Sequence, residues 1–186
     1  MKQLIRLISI TLFIVLSACG TETAEADPAS GITAENPYMN EAIQEAWEGM
    51  MDHHGGPFGA VVVKDGEIVG RGHNRVYEMQ DPTCHAEIMA IQDACRNLGT
   101  LDLSGCGLYT TCEPCAMCLY ASRWANIETV YYGCTIEDKE EIGFGSEAFS
   151  KLQDGREAMK EYLIETDHDA CLELFSLYQA ADSKRG

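Results

Sequence analysis

The chain has 186 residues, 46% of them hydrophobic, which is enough for one globular domain with a packed core plus tails and excludes a disordered chain. Thirty acidic residues against 13 basic ones give a net charge of -17 and a pI of about 4.5. That balance argues against a nucleic-acid partner, because such affinity comes largely from lysine and arginine displacing phosphate counterions.

The chain opens with "MKQLIRLISITLFIVLSACG": positive charge at Lys2 and Arg6, an uncharged apolar run, then small residues. The run is shorter than the roughly 20 residues of a membrane-spanning helix and has the layout of a secretory signal over residues 1–18. Its end, Leu16-Ser17-Ala18-Cys19, is similar to the lipobox of bacterial lipoproteins. The resemblance implies lipidation at Cys19 and an exported lipoprotein, periplasmic or at the cell surface, held to a membrane by its lipid. An ordinary cleaved signal, giving a soluble secreted or periplasmic protein, is the alternative. Residues 19–36 are small and polar and predict a flexible tether, leaving 37–186 as the folded domain.

Between Tyr38 and Met51, apolar residues recur every three or four positions, predicting an amphipathic helix that "GGPF" ends. "FGAVVVKDGEIVGRGHN" reads as a β-hairpin about an Asp-Gly turn. A loop through Asp81-Pro82 leads to a helix from about His85 to Leu98. "CGLYT" predicts a buried strand, Pro114 the first position of a helix reaching about Trp124, and "ETVYYG" another strand. In the tail, "EAMKEYLIET" suggests a short strand and "DACLELFSLYQAA" an amphipathic helix. Strands alternating with helices predict a three-layer α/β/α sandwich with a mixed central sheet. Nine cysteines without a repeating framework fit small buried thiols better than a disulfide scaffold.

Two segments carry the chemistry: "HAE" at His85 to Glu87 and "PCAMC" at Pro114 to Cys118, each opening a helix. Cys115 and Cys118, three apart, share a helix face, and a helix N-terminus favours thiolates. With His85 they make three ligands, the number a catalytic zinc takes before water fills the fourth place. Glu87 stands two residues from His85, able to handle that water's protons without ligating. H-x-E with P-C-x-x-C is the zinc deaminase signature. A closed zinc site would need a fourth ligand, for which Cys112 and Cys84 are candidates; a redox pair would leave His85 and Glu87 unexplained.

With these residues in place, the chain resembles the cytidine deaminase-like superfamily, and within it looks most like bacterial guanine deaminases. The likeness rests on "GGPFGAVVVKDGEIVGRGHN", "DPTCHAEIMAI", "LYTTCEPCAMC" and "VYYGCTIEDKEEIGF". It implies one catalytic Zn2+ per chain on His85, Cys115 and Cys118, with Glu87 as proton shuttle and Asp138 near the departing amino group. It also implies a purine hydrogen bond from Asn74, ring packing by Phe58 and Trp124, a small nucleobase as substrate, and a homodimer. The family's C-terminal segment, which closes the partner's pocket with a terminal aromatic, is not matched by the ending "SKRG"; Phe175 and Tyr178 are the nearest aromatics. Asn74 also suits a turn, and Asp138 lies in an acidic run that suits a solvated face. His53, His54, His73 and His168 have no partner spacing and read as surface or satisfied histidines.

The expected reaction is hydrolysis of guanine to xanthine and ammonia. Alternatives are deamination of guanosine, cytosine or a triazine, deamination of adenosine in transfer RNA, and a zinc-bearing lipoprotein that binds without catalysis.

Overall fold

A computed structural model describes residues 31–145 and 157–182. The first helix, α1 (Pro37–Met51), starts where Asn36 accepts a hydrogen bond from the Tyr38 amide at 2.9 Å, with proline in the first turn. It buries Met39, Ala42, Ile43, Ala46 and Met50, the stripe that the sequence periodicity defines. Ile32 and Ala34, ahead of α1, are already buried.

Strands β1 (Gly59–Lys64) and β2 (Glu67–His73) form the predicted hairpin. Asp65 and Gly66 at its tip have φ of 51° and 85°, the doubly left-handed geometry for which Asp-Gly is suited. A helical turn, α2 (Val76–Met79), interrupts the expected loop before α3 (Ala86–Leu98). Then follow β3 (Cys106–Cys112), α4 (Ala116–Trp124), β4 (Thr129–Cys134) and α5 (Ile136–Lys139), which continues as a π-helical turn over Glu140–Phe144. A short 3-10 helix, Glu157–Tyr162, leads into β5 (Leu163–Glu165) and the C-terminal helix α6 (His168–Asp182).

The sheet order is β2-β1-β3-β4-β5, with β1 antiparallel to both neighbours and β3, β4 and β5 parallel. On one face, α3 and α4 cover Ala60, Val62, Leu108 and Val130. On the other, α1 and α6 bring Ile43, Leu174 and Phe175 against the sheet, where each fully buried large side chain contributes ~1.5–3 kcal/mol. This is the three-layer sandwich with a mixed sheet. The layers are close: a Cβ at Gly59 would lie 2.0 Å from the Ala42 carbonyl oxygen, so only glycine lets α1 sit this near β1.

Pro114 is not at the first helical position. Cys115 is the N-cap, with extended backbone, and the helix begins at Ala116. Proline thus holds the residue before the cap instead of the first turn, and Cys112 closes β3. All eight cysteines among the described residues are free thiols, six of them buried.

Candidate active site

Two helix starts meet at the C-terminal side of β3. His85 is the N-cap residue of α3 and Cys115 that of α4, with Cys118 one turn further on. His85 Nδ1 lies 3.7 Å from Cys115 Sγ and 3.5 Å from Cys118 Sγ, and the two sulfurs are 3.7 Å apart. A tetrahedral zinc with Zn–S of about 2.3 Å and Zn–N of about 2.0–2.1 Å has edges of about 3.8 Å between sulfurs and about 3.6 Å between nitrogen and sulfur. The three side chains therefore fit zinc. Among the described residues only these three form such a group. Cys112 directs its Sγ to the Thr135 carbonyl at 3.6 Å, and neither it nor Cys84 supplies a fourth ligand. Among the described residues no fourth ligand closes the site, as a catalytic one requires.

The electrostatics suit a cation. A hydrogen bond from the Cys118 thiol, aided by His85, lowers the Cys115 pKa to about 4 against the opposing effect of burial. Burial foremost, and then its bond to Cys115, push Cys118 well above the ordinary thiol range. The metal-free pair thus holds one thiolate and one thiol, and a metal displaces the remaining proton. Glu87 is 6% exposed, in the first turn of α3. Burial, then the Cys115 thiolate, raises its pKa, with His85 opposing. A carboxyl that readily holds a proton suits a shuttle.

The remaining candidates divide. Asn74 is buried; its Oδ1 accepts the Val76 amide at 3.2 Å, so it does form the turn after β2. The same side chain leaves no room for a Cβ at Gly55. Phe58 is half-buried and meets Phe144 and Phe175 edge to face, with centroids 5.0 and 5.6 Å apart. Tyr178 extends that cluster, 5.5 Å from Phe144. Helix α6 packs on β4 and α1 of its own chain, which brings Phe175 and Tyr178 to the cluster. Trp124 is 90% exposed at the far end of α4, about 13 Å along the helix from Cys115; it does not join Phe58 within this chain.

Asp138 stands apart from its acidic neighbours. Glu137, Glu140 and Glu141 are exposed, whereas Asp138 completes a capping box with Thr135 and accepts from His168 at 2.8 Å. His168 is thus a satisfied histidine whose partner lies 30 residues away, too far for sequence spacing to signal. The Thr-x-x-Asp box itself was visible as a helix-start pattern. His54 and His73 also pair, 2.9 Å between Nδ1 and Nε2.

An α/β/α sandwich with one imidazole and two thiolates at converging helix starts defines a zinc-dependent deaminase, a hydrolase of C–N bonds. The chain belongs to the family of the cytidine and deoxycytidylate deaminase zinc-binding region, whose pattern matches residues 32–134. It is 49% identical over 107 residues to a guanine deaminase of Bacillus subtilis, covering 58% of this chain and 69% of that one. The X-ray structure of a Bacillus subtilis guanine deaminase superposes with a TM-score of 0.61 at 44% identity, covering 64% and 76% of the two chains. A guanine deaminase from Nitrosomonas europaea superposes with a TM-score of 0.64 at 29% identity over 80% of this chain and 87% of that one. A tRNA-specific adenosine deaminase of Aquifex aeolicus is 54% identical over 76 residues, 41% of this chain and 50% of that protein.

The expectation of an exported, lipid-anchored or secreted protein is corrected by these relatives, which are named as guanine and tRNA-specific adenosine deaminases and not as lipoproteins. Residues 1–30, with Cys19 and the signal-like run, lie outside the described residues. Among the described residues no helix is long and apolar enough to cross a membrane. Nothing supports a non-catalytic lipoprotein either.

Proposed function

We propose that the protein hydrolyses guanine to xanthine and ammonia. The observation that carries this reading is the structural likeness to guanine deaminases, with TM-scores of 0.61 and 0.64 against 0.50 for a tRNA:A34 deaminase. A structural neighbour, 30% identical with a TM-score of 0.67, was solved with 2,6-diaminopurine, a base that carries the same 2-amino group as guanine.

When bound, zinc supplies a Lewis acid that makes water a nucleophile near neutral pH. In this reading Phe58, braced by Phe144 and Phe175, packs on the purine ring, and Asn74 hydrogen-bonds it. Glu87 takes a proton from the water as its oxygen bonds to C2 and delivers that proton to N3. It then carries the remaining hydroxyl proton to the amino group, which leaves as ammonia with Asp138 beside it. One carboxylate thus moves two protons, and the elements of water are fully accounted for.

The second reading, adenosine in transfer RNA, is favoured by the 54% identity to the Aquifex aeolicus enzyme. The surface opposes it. Arg71 pairs with Glu41, Arg75 with Glu78 and Arg96 with Asp93, while Arg123 lies over the Tyr162 ring, so these cations are already engaged within a chain of net charge -17. The protein is proposed to act as a homodimer. Supporting this, Tyr120 and Trp124, four apart on α4, are 55% and 90% exposed and present one apolar face.

Ammonia release from zinc-loaded protein, with guanine, guanosine, cytosine, a triazine and an adenosine-bearing anticodon stem-loop, tests the substrate. Guanine is expected to give the highest kcat/KM, with xanthine as product. Preference for the stem-loop or another base would replace this reading.

A further inference from the structure

Three hydrogen bonds converge on one oxygen of Asp138. Oδ2 accepts from the Thr135 amide at 2.7 Å, from the Thr135 hydroxyl at 2.7 Å and from His168 Nε2 at 2.8 Å. Thr135 is the N-cap of α5, and the amide of Asp138 donates back to its hydroxyl at 3.2 Å, so backbone and side chain are locked together on that side. His168 comes from elsewhere in the fold, as the first residue of α6. A carboxylate held through Oδ2 by three donors from two elements is restrained in orientation, and among the described residues no hydrogen bond engages its Oδ1.

Helix α5 starts beside the end of β3, where Cys112 pairs with Cys134 three residues ahead of Cys115. The Cys112 thiol, at the end of β3, reaches the Thr135 carbonyl at 3.6 Å. Helix α6 in turn carries Phe175, which meets the Phe58 ring. One side chain therefore ties the acidic residue of α5 to the helix that supports the aromatic wall.

We propose that His168 is a positioning residue for deamination: it orients Asp138 so that Oδ1 faces the departing amino group. This rests on the role given to Asp138 under the proposed function. His168 faces Asp138 from α5, Asp169 on its own helix at 3.5 Å and Glu165 from β5. The bond to Asp138 is the foremost cause raising its pKa above the ordinary histidine value. For Asp138, burial acts upward and is outweighed by the Thr135 and His168 bonds, which bring its pKa below the ordinary carboxyl value. The pair is therefore charged on both sides from above the ordinary aspartate range to beyond the ordinary histidine range. Its stabilisation fades as pH rises through the raised pKa of folded His168, and as pH falls through the lowered one of Asp138.

The test combines kinetics with a titration. On the best base of the substrate panel, His168→Ala should lower kcat by about 10- to 100-fold with KM changed less than about threefold, whereas His168→Gln, which keeps an N–H donor, should recover most of the loss. The double variant with Asp138→Ala should be no slower than Asp138→Ala alone, because His168 acts through that carboxylate. NMR titration of the imidazole should show its pKa dropping in Asp138→Asn. Multiplying losses in the double variant, a wild-type rate in His168→Ala, or a titration indifferent to Asp138→Asn would each overturn the proposal. A wild-type rate in Asp138→Ala would instead remove Asp138 from the mechanism and His168 with it, while the guanine assignment would stand.

Discussion

Glu87→Ala is expected to lower kcat by about 10³-fold while the protein keeps its zinc, since general acid–base catalysis by a positioned side chain is worth roughly 10²–10⁴-fold. The reason lies in the placement. Glu87 is buried in the first turn of α3, two residues past the ligand His85, yet it is not a member of the ligand group. Its pKa is raised by burial, then by the Cys115 thiolate. A carboxyl with a raised folded-state pKa binds more protons folded than unfolded, so it costs stability as pH rises from its unfolded value through the folded one. The metal-free alanine variant should consequently lose less Tm across that window than the wild type. Steady-state ammonia release, metal content and thermal melts at several pH values check the three parts together. A variant with wild-type turnover would take the proton shuttle away from Glu87.

The other large effect concerns the ligands. Cys118→Ser should abolish stoichiometric zinc and activity together, because a serine hydroxyl does not replace a thiolate on this ion. In the wild type, zinc uptake near neutral pH should release at least one proton, since His85, whose pKa is raised foremost by its bond to Cys115, must also ligate as the neutral imidazole. Cys115, with its pKa of about 4, is already ionised, whereas Cys118 must give up its proton to ligate. Affinity should therefore weaken as pH falls. Calorimetry in buffers of different ionisation enthalpy reads the proton count, and metal analysis of Cys118→Ser reads the loss. Proton-neutral binding would show that Cys118 does not change state on ligation.

What could be read along the chain was local. Cys115 and Cys118 announce themselves because three residues make one helical turn, and His85 with Glu87 because the pair opens the preceding helix. The Asp65-Gly66 turn followed from the positive φ that only a few residues tolerate. Pro114 was misplaced by the ordinary preference of proline for the first helical turn, since here the cysteine itself caps the helix. The link between Asp138 and His168 was out of reach, because it joins residues 30 apart across two elements whose packing decides the meeting. Trp124 illustrates the reverse case: its residue type suits a ring pocket, but its place at the far end of α4 leaves it 90% exposed and away from Phe58 within this chain. The leader misled on location, because a short apolar run reports its own composition and not what the rest of the chain does.

The central claim is an open zinc site of one imidazole and two thiolates, and zinc K-edge X-ray absorption on the purified protein tests it most directly. The expected spectrum has two sulfur scatterers at about 2.3 Å and two light scatterers at about 2.0 Å, one from histidine and one from water. A third sulfur, or a second histidine in place of the water, would mean a closed structural site and contradict the deaminase mechanism.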